Sequence, residues 1–294
     1  MIRSKATLFK TLTLLTLGCA SLAAQSSTKE EEKNKTMVLN WWREVVANGK
    51  VDSAAKYMAD GYVEHDPNIG GGRKEFAQYY GRSTVRPNPS AKPVMSFGKG
   101  DYVVLVWEHD DHDAKGKAIK YNTYDILLVR NGKIQEHWND IKRNDSALES
   151  VNQAAGGPPP ADSLKNSPEE QKNETFVLNM YRDVLQYHHF ELAPKYMAAD
   201  YIQHNSSDPQ GRDPLIAELS ERFKPEPLQP EMKNKPALTI TKGDVVLMMS
   251  SRPVKDPKEP SKTYVQNHFE MVRVQNGIAQ EHWDSSIGPG GTRN

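Results

Sequence analysis

The sequence predicts an α+β protein made of two similar units in tandem, each about three helices packed on a curved antiparallel or mixed sheet. Two internal repeats, and a change of hydrophobic period inside each, carry the prediction. Tyr57-Met-Ala-Asp-Gly-Tyr-Val-Glu-His65 with Gly72-Arg73 returns as Tyr196-Met-Ala-Ala-Asp-Tyr-Ile-Gln-His204 with Gly211-Arg212, displaced throughout by 139 residues. Asn131-Gly-Lys-Ile-Gln-Glu-His-Trp-Asn139 returns as Asn276-Gly-Ile-Ala-Gln-Glu-His-Trp-Asp284, displaced by 145. Equal spacing implies equal local structure, and the extra six residues mark drift in an intervening loop.

With 294 residues, 37% hydrophobic and 26% charged, the chain has globular composition and room for about two domains. Its 38 basic residues balance 38 acidic ones, so no positive field points to nucleic acid or an anionic membrane as partner. Residues 1–24 read as an export signal. Arg3, Lys5 and Lys10 accompany an apolar run, residues 8–17, too short to span a bilayer, and Ala20, Ser21, Ala23 and Ala24 follow. This predicts a secreted or periplasmic protein with no transmembrane segment in the mature chain, whose single cysteine, Cys19, leaves with the signal. A lipid anchor at Cys19 is the alternative, weakened by Thr16 at the first place of the processing box.

The domains are expected over residues 33–144 and 171–288, joined by a linker, 145–170, whose Gly156-Gly-Pro-Pro-Pro160 centre is stiff. After a polar leader, residues 29–35, Met37, Val38, Trp41, Trp42, Val45 and Val46 recur at helical spacing. Phe176, Val177, Met180, Tyr181, Val184 and Leu185 repeat the pattern, which reads as core. A short second helix carries Tyr57 or Tyr196 and ends at His65 or His204, at the mouth of a turn-rich loop. A third helix follows each Gly-Arg pair, with Asp213 placed to cap it and Pro214 at its first position. The period then becomes two. Residues 103–107 and 245–249 read as buried strands, followed by polar hairpin loops, residues 108–117 and 251–262. Strands at 121–129 and 264–274 then pass through Asn-Gly turns into the closing strands.

Residues two apart on a strand share a face, so His137 and Asn139 face one way while Glu136 and Trp138 face the other, and His282 shares a face with Asp284. An imidazole beside a carboxylate can move protons, and an apolar cavity would raise the carboxylate toward neutrality. The alternative is that both side chains only hydrogen-bond across the sheet. Asp125 and Glu270, acids inside apolar strands, are either satisfied by a neighbour or exposed to a cavity. His65 and His204 either rim a pocket or tie their loops to the closing strand, and Arg73 and Arg212 pair with a helix or loop carboxylate, substrate contact being the alternative. The cluster Glu108-His-Asp-Asp-His-Asp113 reads as solvated loop charge, since the second unit has Ser-Ser-Arg-Pro there, and no metal or cofactor is expected. No Gly-rich phosphate loop, Cys-based metal site or Gly-x-Ser-x-Gly elbow occurs, so nucleotide chemistry and nucleophilic hydrolysis lose support.

Tyr-[Val/Ile]-x-His-[Asp/Asn] with Gly-Arg, followed by Asn-Gly-x-[Ile/Ala]-x-Glu-His-Trp-[Asn/Asp], resembles the SnoaL-like polyketide cyclase family of the nuclear transport factor 2-like superfamily over residues 33–143 and 171–287. The resemblance implies two tandem cone-like α+β barrels, each opening a hydrophobic pocket. It implies that the Asp closing Glu-His-Trp-Asp is the acid/base of a cofactor-independent aldol ring closure. That residue is Asp284; Asn139 in the first unit cannot titrate and Asp140 would face the other side, so the first unit is expected to be degenerate. The expected function is binding of a small apolar or carbonyl-containing molecule, with isomerisation, cyclisation or lyase chemistry by Asp284, His282 and His204. Tyr201, Glu270, Trp283, His65, His137, Asn139, Tyr62 and Asp125 are the expected substrate contacts. The alternative is a non-catalytic binding or assembly module whose units pair within the chain as a built-in dimer.

Overall fold

The structure, a computed structural model, describes residues 27–82, 86–112, 115–144, 147–148, 159–206 and 208–285. The expected export signal with Cys19 and most of the linker centre lie outside them. Unit one runs α1 (Lys29–Trp41), α2 (Ala54–Tyr57), β1 (Met58–Glu64), α3 (Arg73–Arg82), β2 (Met95–Lys99), β3 (Tyr102–His112), β4 (Ala118–Arg130) and β5 (Lys133–Asn139). Unit two repeats the order with α4 (Pro168–Met180), α5 (Ala193–Tyr196), β6 (Met197–Gln203), α6 (Arg212–Arg222), β7 (Leu238–Lys242), β8 (Val245–Lys255), β9 (Thr263–Gln275) and β10 (Ile278–Asp284). Each forms a mixed five-stranded sheet, β1-β5-β4-β3-β2 and β6-β10-β9-β8-β7, antiparallel except where β1 meets β5 and β6 meets β10. These are the two tandem α+β units that the repeat predicts.

The helices begin where side chains satisfy the free backbone donors of the first turn. Thr28 accepts from the Glu31 N–H, and the Glu31 carboxylate accepts from the Thr28 N–H; Ser167 and Glu170 repeat this capping box, with Pro168 opening the helix. The polar residues expected as a leader are therefore helical. Beyond Trp41 and Met180 the backbone loosens into single π-helical stretches, Trp42–Ala47 and Tyr181–Gln186, which carry the apolar stripe onward.

Four expectations change. Residues 58–64, expected as the end of a helix, form β1, so His65 and His204 follow strands. Alternate burial of Met58, Tyr62 and Glu64 fits, but the parallel partner, β5, lies some 70 residues away and leaves no local signal. The edge strands β2 and β7 were not expected. Residues 108–112 continue β3, paired with 118–122, rather than forming a loop. Asp213 does not cap α6, which starts at Arg212; it pairs with that arginine at 2.7 Å.

The Asn-Gly turns are as expected: Asn131 and Gly132 have φ of 53° and 68°, and Asn276 and Gly277 of 53° and 73°, the left-handed values of a tight hairpin turn.

Strands β3 and β8 read as unbroken apolar runs because both their faces are buried. Val103 and Leu105 enter their own unit's core with Trp41, Val45 and Phe76. Val104 and Val106 face the other way, into an apolar layer between the two sheets, where Tyr124, Ile126 and Trp138 meet Ile240, Leu247, Met249, Phe269 and Trp283. Tyr124 stacks on Phe269 with ring centroids 5.2 Å apart. Two reciprocal ion pairs strap this layer. Lys99 Nζ lies 2.7 Å from Glu170 of the other unit, and Lys242 Nζ 3.1 Å from Glu31. The same carboxylates accept the N–H groups of Gly243 and Gly100, so each first-helix cap also clasps a β-turn. Arg143 and Asp256 add a third buried pair at 2.7 Å.

Candidate functional site

Inside unit two, β10 points His282 and Asp284 to the interior by strand alternation, and β9 brings Glu270 opposite Asp284. His282 Nε2 lies 2.5 Å from Glu270 Oε2, and its Nδ1 lies 2.7 Å from Gln203 Oε1 on β6. The π-helical stretch delivers Tyr181, whose hydroxyl donates to Glu270 at 2.8 Å and sits 3.1 Å from His282 Nε2. His268 holds the other Glu270 oxygen at 2.8 Å. Asp284 accepts from Asn205 Nδ2 at 3.1 Å, and the Tyr201 ring lies roughly parallel to His282, centroids 6.4 Å apart.

Burial raises the Asp284 carboxyl; His282 pulls it back, Glu270 and Asp208 push it up, and it comes to about 6. Burial also works against the Glu270 carboxylate, but hydrogen bonds from His268 and His282 hold it well below the usual range. His282 rises above its ordinary value because the Glu270 contact outweighs desolvation of the imidazolium. The result is an imidazolium–carboxylate pair beside a carboxyl that ionises near neutral pH, a combination suited to giving and taking a proton. Glu270, His282 and Asp284 also bring one donor atom each within 4.8 Å of one another, so this trio, not the Glu108–His112 stretch, is the one able to close on a metal ion among the described residues.

Unit one brackets its histidine in the same way. His137 lies 3.1 Å from Glu64 through Nδ1 and 3.0 Å from Asp125 through Nε2, and it is held well above its usual value as these carboxylates outweigh burial. Tyr62 donates to Glu64 at 2.5 Å, and Asn139 Nδ2 donates to Asp66 Oδ2 at 2.8 Å. Trp107 Nε1 donates to Asp125 at 2.8 Å and stacks on Trp42, centroids 4.2 Å apart; the second unit has Ser250 and Tyr181 at these places.

Of the expected site residues, His282, Asp284, Glu270 and Tyr201 thus meet in one interior, and His137, Asn139, Asp125 and Tyr62 in the other. His204, expected beside Asp284, does not. It stacks on Trp283 with centroids 4.1 Å apart and lies 2.9 Å from Glu281, on the opposite face of β10. His65 does the same with Trp138 at 4.6 Å and Glu136 at 2.9 Å. Each imidazole ties its loop to the closing strand, because strand alternation turns Glu-x-Trp away from His-x-Asp. Arg212 pairs with Asp213 of α6, a helix carboxylate as expected, whereas Arg73 pairs with Asp60 at 2.9 Å, a carboxylate on strand β1. Tyr181, Gln203, Asn205, His268, Glu64 and Asp66 were not singled out. A hydroxyl on an otherwise apolar helical stripe, and an acid or amide two residues from Asp66 or Asn205, were the available signals.

No described helix is long and apolar enough to cross a membrane. The model of the SnoaL-like domain matches residues 38–137. Among proteins of curated function none matches the chain. Solved structures similar to it include a candidate polyketide cyclase from Acidithiobacillus ferrooxidans, 22% identical over 42% of this chain and 96% of that one, TM-score 0.30. An LEH-like epoxide hydrolase of M. tuberculosis is 15% identical over 38% of this chain and 81% of that one, TM-score 0.30. An NTF2-like protein of unknown function from Mesorhizobium loti is 15% identical over 40% and 98%, TM-score 0.29. Residues 38–137 of the first unit thus match the SnoaL-like domain, and the second unit repeats the elements of the first in the same order, a tandem duplication.

Proposed function

We propose that the C-terminal unit binds a small, largely apolar carbonyl compound and moves a proton on it without a cofactor, in an isomerisation, cyclisation or lyase reaction. The observation that carries this is a buried carboxyl, Asp284, on the same strand face as His282, whose Nε2 lies 2.5 Å from Glu270, in surroundings that raise the carboxyl toward neutrality. As carboxylate, Asp284 removes a proton next to the carbonyl. The positive charge of the His282 imidazolium favours the negative charge that develops on the carbonyl oxygen, and protonated Asp284 returns the proton. Tyr201 bounds the same interior, and His204 keeps the loop in place from the far side of the strand. The reading includes export, for which the first 24 residues are suited, and domains near residues 33–144 and 171–288.

The packing of sheet on sheet favours a second reading, a non-catalytic binding or assembly module that acts as a covalent pseudo-dimer. One experiment separates the two. A metabolite extract is incubated with the mature protein and with Asp284→Asn, and both are followed by untargeted mass spectrometry. Compounds converted by the first and spared by the second establish the enzyme. A compound that co-purifies unchanged with both establishes the binding module.

A further inference from the structure

The residue that marks unit one as degenerate, Asn139, does not stand alone. In unit two the carboxyl is Asp284 on β10 and its hydrogen-bond partner is the amide of Asn205, in the loop after β6. In unit one the two are exchanged: the carboxyl is Asp66, in the loop after β1, and the amide is Asn139 on β5. Asp66 corresponds to Asn205 and Asn139 to Asp284 by the two repeat offsets. The contact survives the exchange, at 2.8 Å and 3.1 Å. Asn139 therefore reflects a carboxyl moved across one hydrogen bond, not a carboxyl lost.

The bracket around the histidine has kept its form as well, although Trp42 and Trp107 stand where unit two has Tyr181 and Ser250. His137 is bracketed by Glu64 and Asp125 as His282 is by Gln203 and Glu270. Asp66 is 3% exposed, and burial together with the nearby Glu64 raises it to about 6, against the pull of the Asn139 and Asn68 hydrogen bonds. The ionisable groups facing it are Glu64 and Tyr62 on β1, His137 on β5 and Tyr80 on α3, with Asp125 of β4 at the other ring nitrogen of His137. With Asn139 as donor the contact needs an acceptor at 66, and the exchange supplies it with a buried carboxyl, so each unit keeps one acid in this pair. A buried acid beside another acid costs stability, and such a cost is characteristic of groups held for their chemistry.

We propose that the N-terminal unit is a second proton-transfer site, in which Asp66 takes the part that Asp284 takes in the C-terminal unit. The proposal rests on the reading of the C-terminal unit given above, and the test keeps the two apart. The probe is 5-nitrobenzisoxazole. A carboxylate removes its C3 proton, the C–H electron pair completes a nitrile, and the N–O bond breaks to give the coloured 2-cyano-4-nitrophenolate, after which solvent takes the proton from the carboxyl. Turnover is measured against pH for the full chain, Asp66→Asn, Asp284→Asn, the double variant, and the exchange Asp66→Asn/Asn139→Asp.

Asp284→Asn is expected to keep at least roughly a tenth of the turnover, half-maximal near pH 6, and the double variant to fall roughly a hundredfold below wild type, the scale of one general base. The exchange variant recovers what Asp66→Asn loses. If Asp284→Asn alone falls as far as the double variant, unit one is inert and the C-terminal reading stands. If the double variant keeps the wild-type rate, or wild type is no faster than free acetate, both readings fall. An exchange variant that melts at the wild-type temperature yet recovers nothing also overturns the assignment of Asp66.

Discussion

Replacing Asp66 by Asn makes the protein more stable at pH 8 and slightly less stable at pH 4. In the folded chain the carboxyl ionises at about 6, against 3.8 when unperturbed. Between those values the folded state holds a proton that the unfolded state has released, so stability falls as pH rises through the window and the whole penalty is present above about 6. The rise corresponds to about 3 kcal/mol. An amide carries no such penalty but fits the contacts less well. The oxygen of the new amide can still accept from the Asn68 N–H, yet its NH2 group then faces Asn139 Nδ2. Turning Asn139 to present its oxygen breaks the bond that this oxygen accepts from Ile141 N–H at 3.2 Å. That mismatch costs about 1 kcal/mol. The net gain at pH 8 is about 2 kcal/mol, or on the order of 5 °C in melting temperature for a chain of this size. At pH 4 most of the gain is gone and the mismatch remains. Circular-dichroism melts at the two pH values read both signs. A variant that melts lower than wild type at pH 8 would refute the reasoning, because it would make the Asp66 carboxylate a net stabilising acceptor.

Lys99→Met strands the Glu170 carboxylate in the layer between the sheets and is expected to cost about 3 kcal/mol in denaturant titration, part of which Lys99→Met/Glu170→Gln restores; a single-variant cost under about 1 kcal/mol would show that the strap is slack. Gly98→Ala places a Cβ 2.7 Å from the Glu31 carbonyl oxygen and 2.9 Å from its Cβ, where α1 crosses β2, and is expected to cost about 1–3 kcal/mol. Gly61→Ala meets open space and serves as the control, with a melting temperature no lower than wild type. Glu270→Gln removes the contact that holds the His282 proton, so NMR titration should find the imidazole moving to a lower pKa. No movement would mean that another group sets the charge of His282.

The sequence made the first helices, the β3–β5 meander and the Asn-Gly turns legible, because each rests on contacts a few residues apart. Strands β1 and β6 were hidden for the opposite reason. Their sequences contain Asp60-Gly61 and Ala199-Asp200, poor strand formers, and pairing with a distant parallel partner overrides that preference. The placement of His204 followed from the same omission, since a helix end and a strand end aim the next side chain differently. His282 and Asp284 were readable from the period of two alone. Tyr181 was not, because its ring satisfies the helical stripe and only its hydroxyl belongs to the site. Asp66, in His-Asp-Pro, reads as a turn residue until the partner across its hydrogen bond is known.

The straps between the sheets carry a consequence of a different kind. Because both halves belong to one chain, their pairing is a first-order event whose effective concentration is set by the tether, and dilution does not separate them. A dimer of identical subunits imposes every substitution on both of its sites. Here Trp42 and Trp107 stand in one half where Tyr181 and Ser250 stand in the other, and the apolar layer that joins the halves is undisturbed. Fusion thus allows one site to be remodelled while its twin is left as it was.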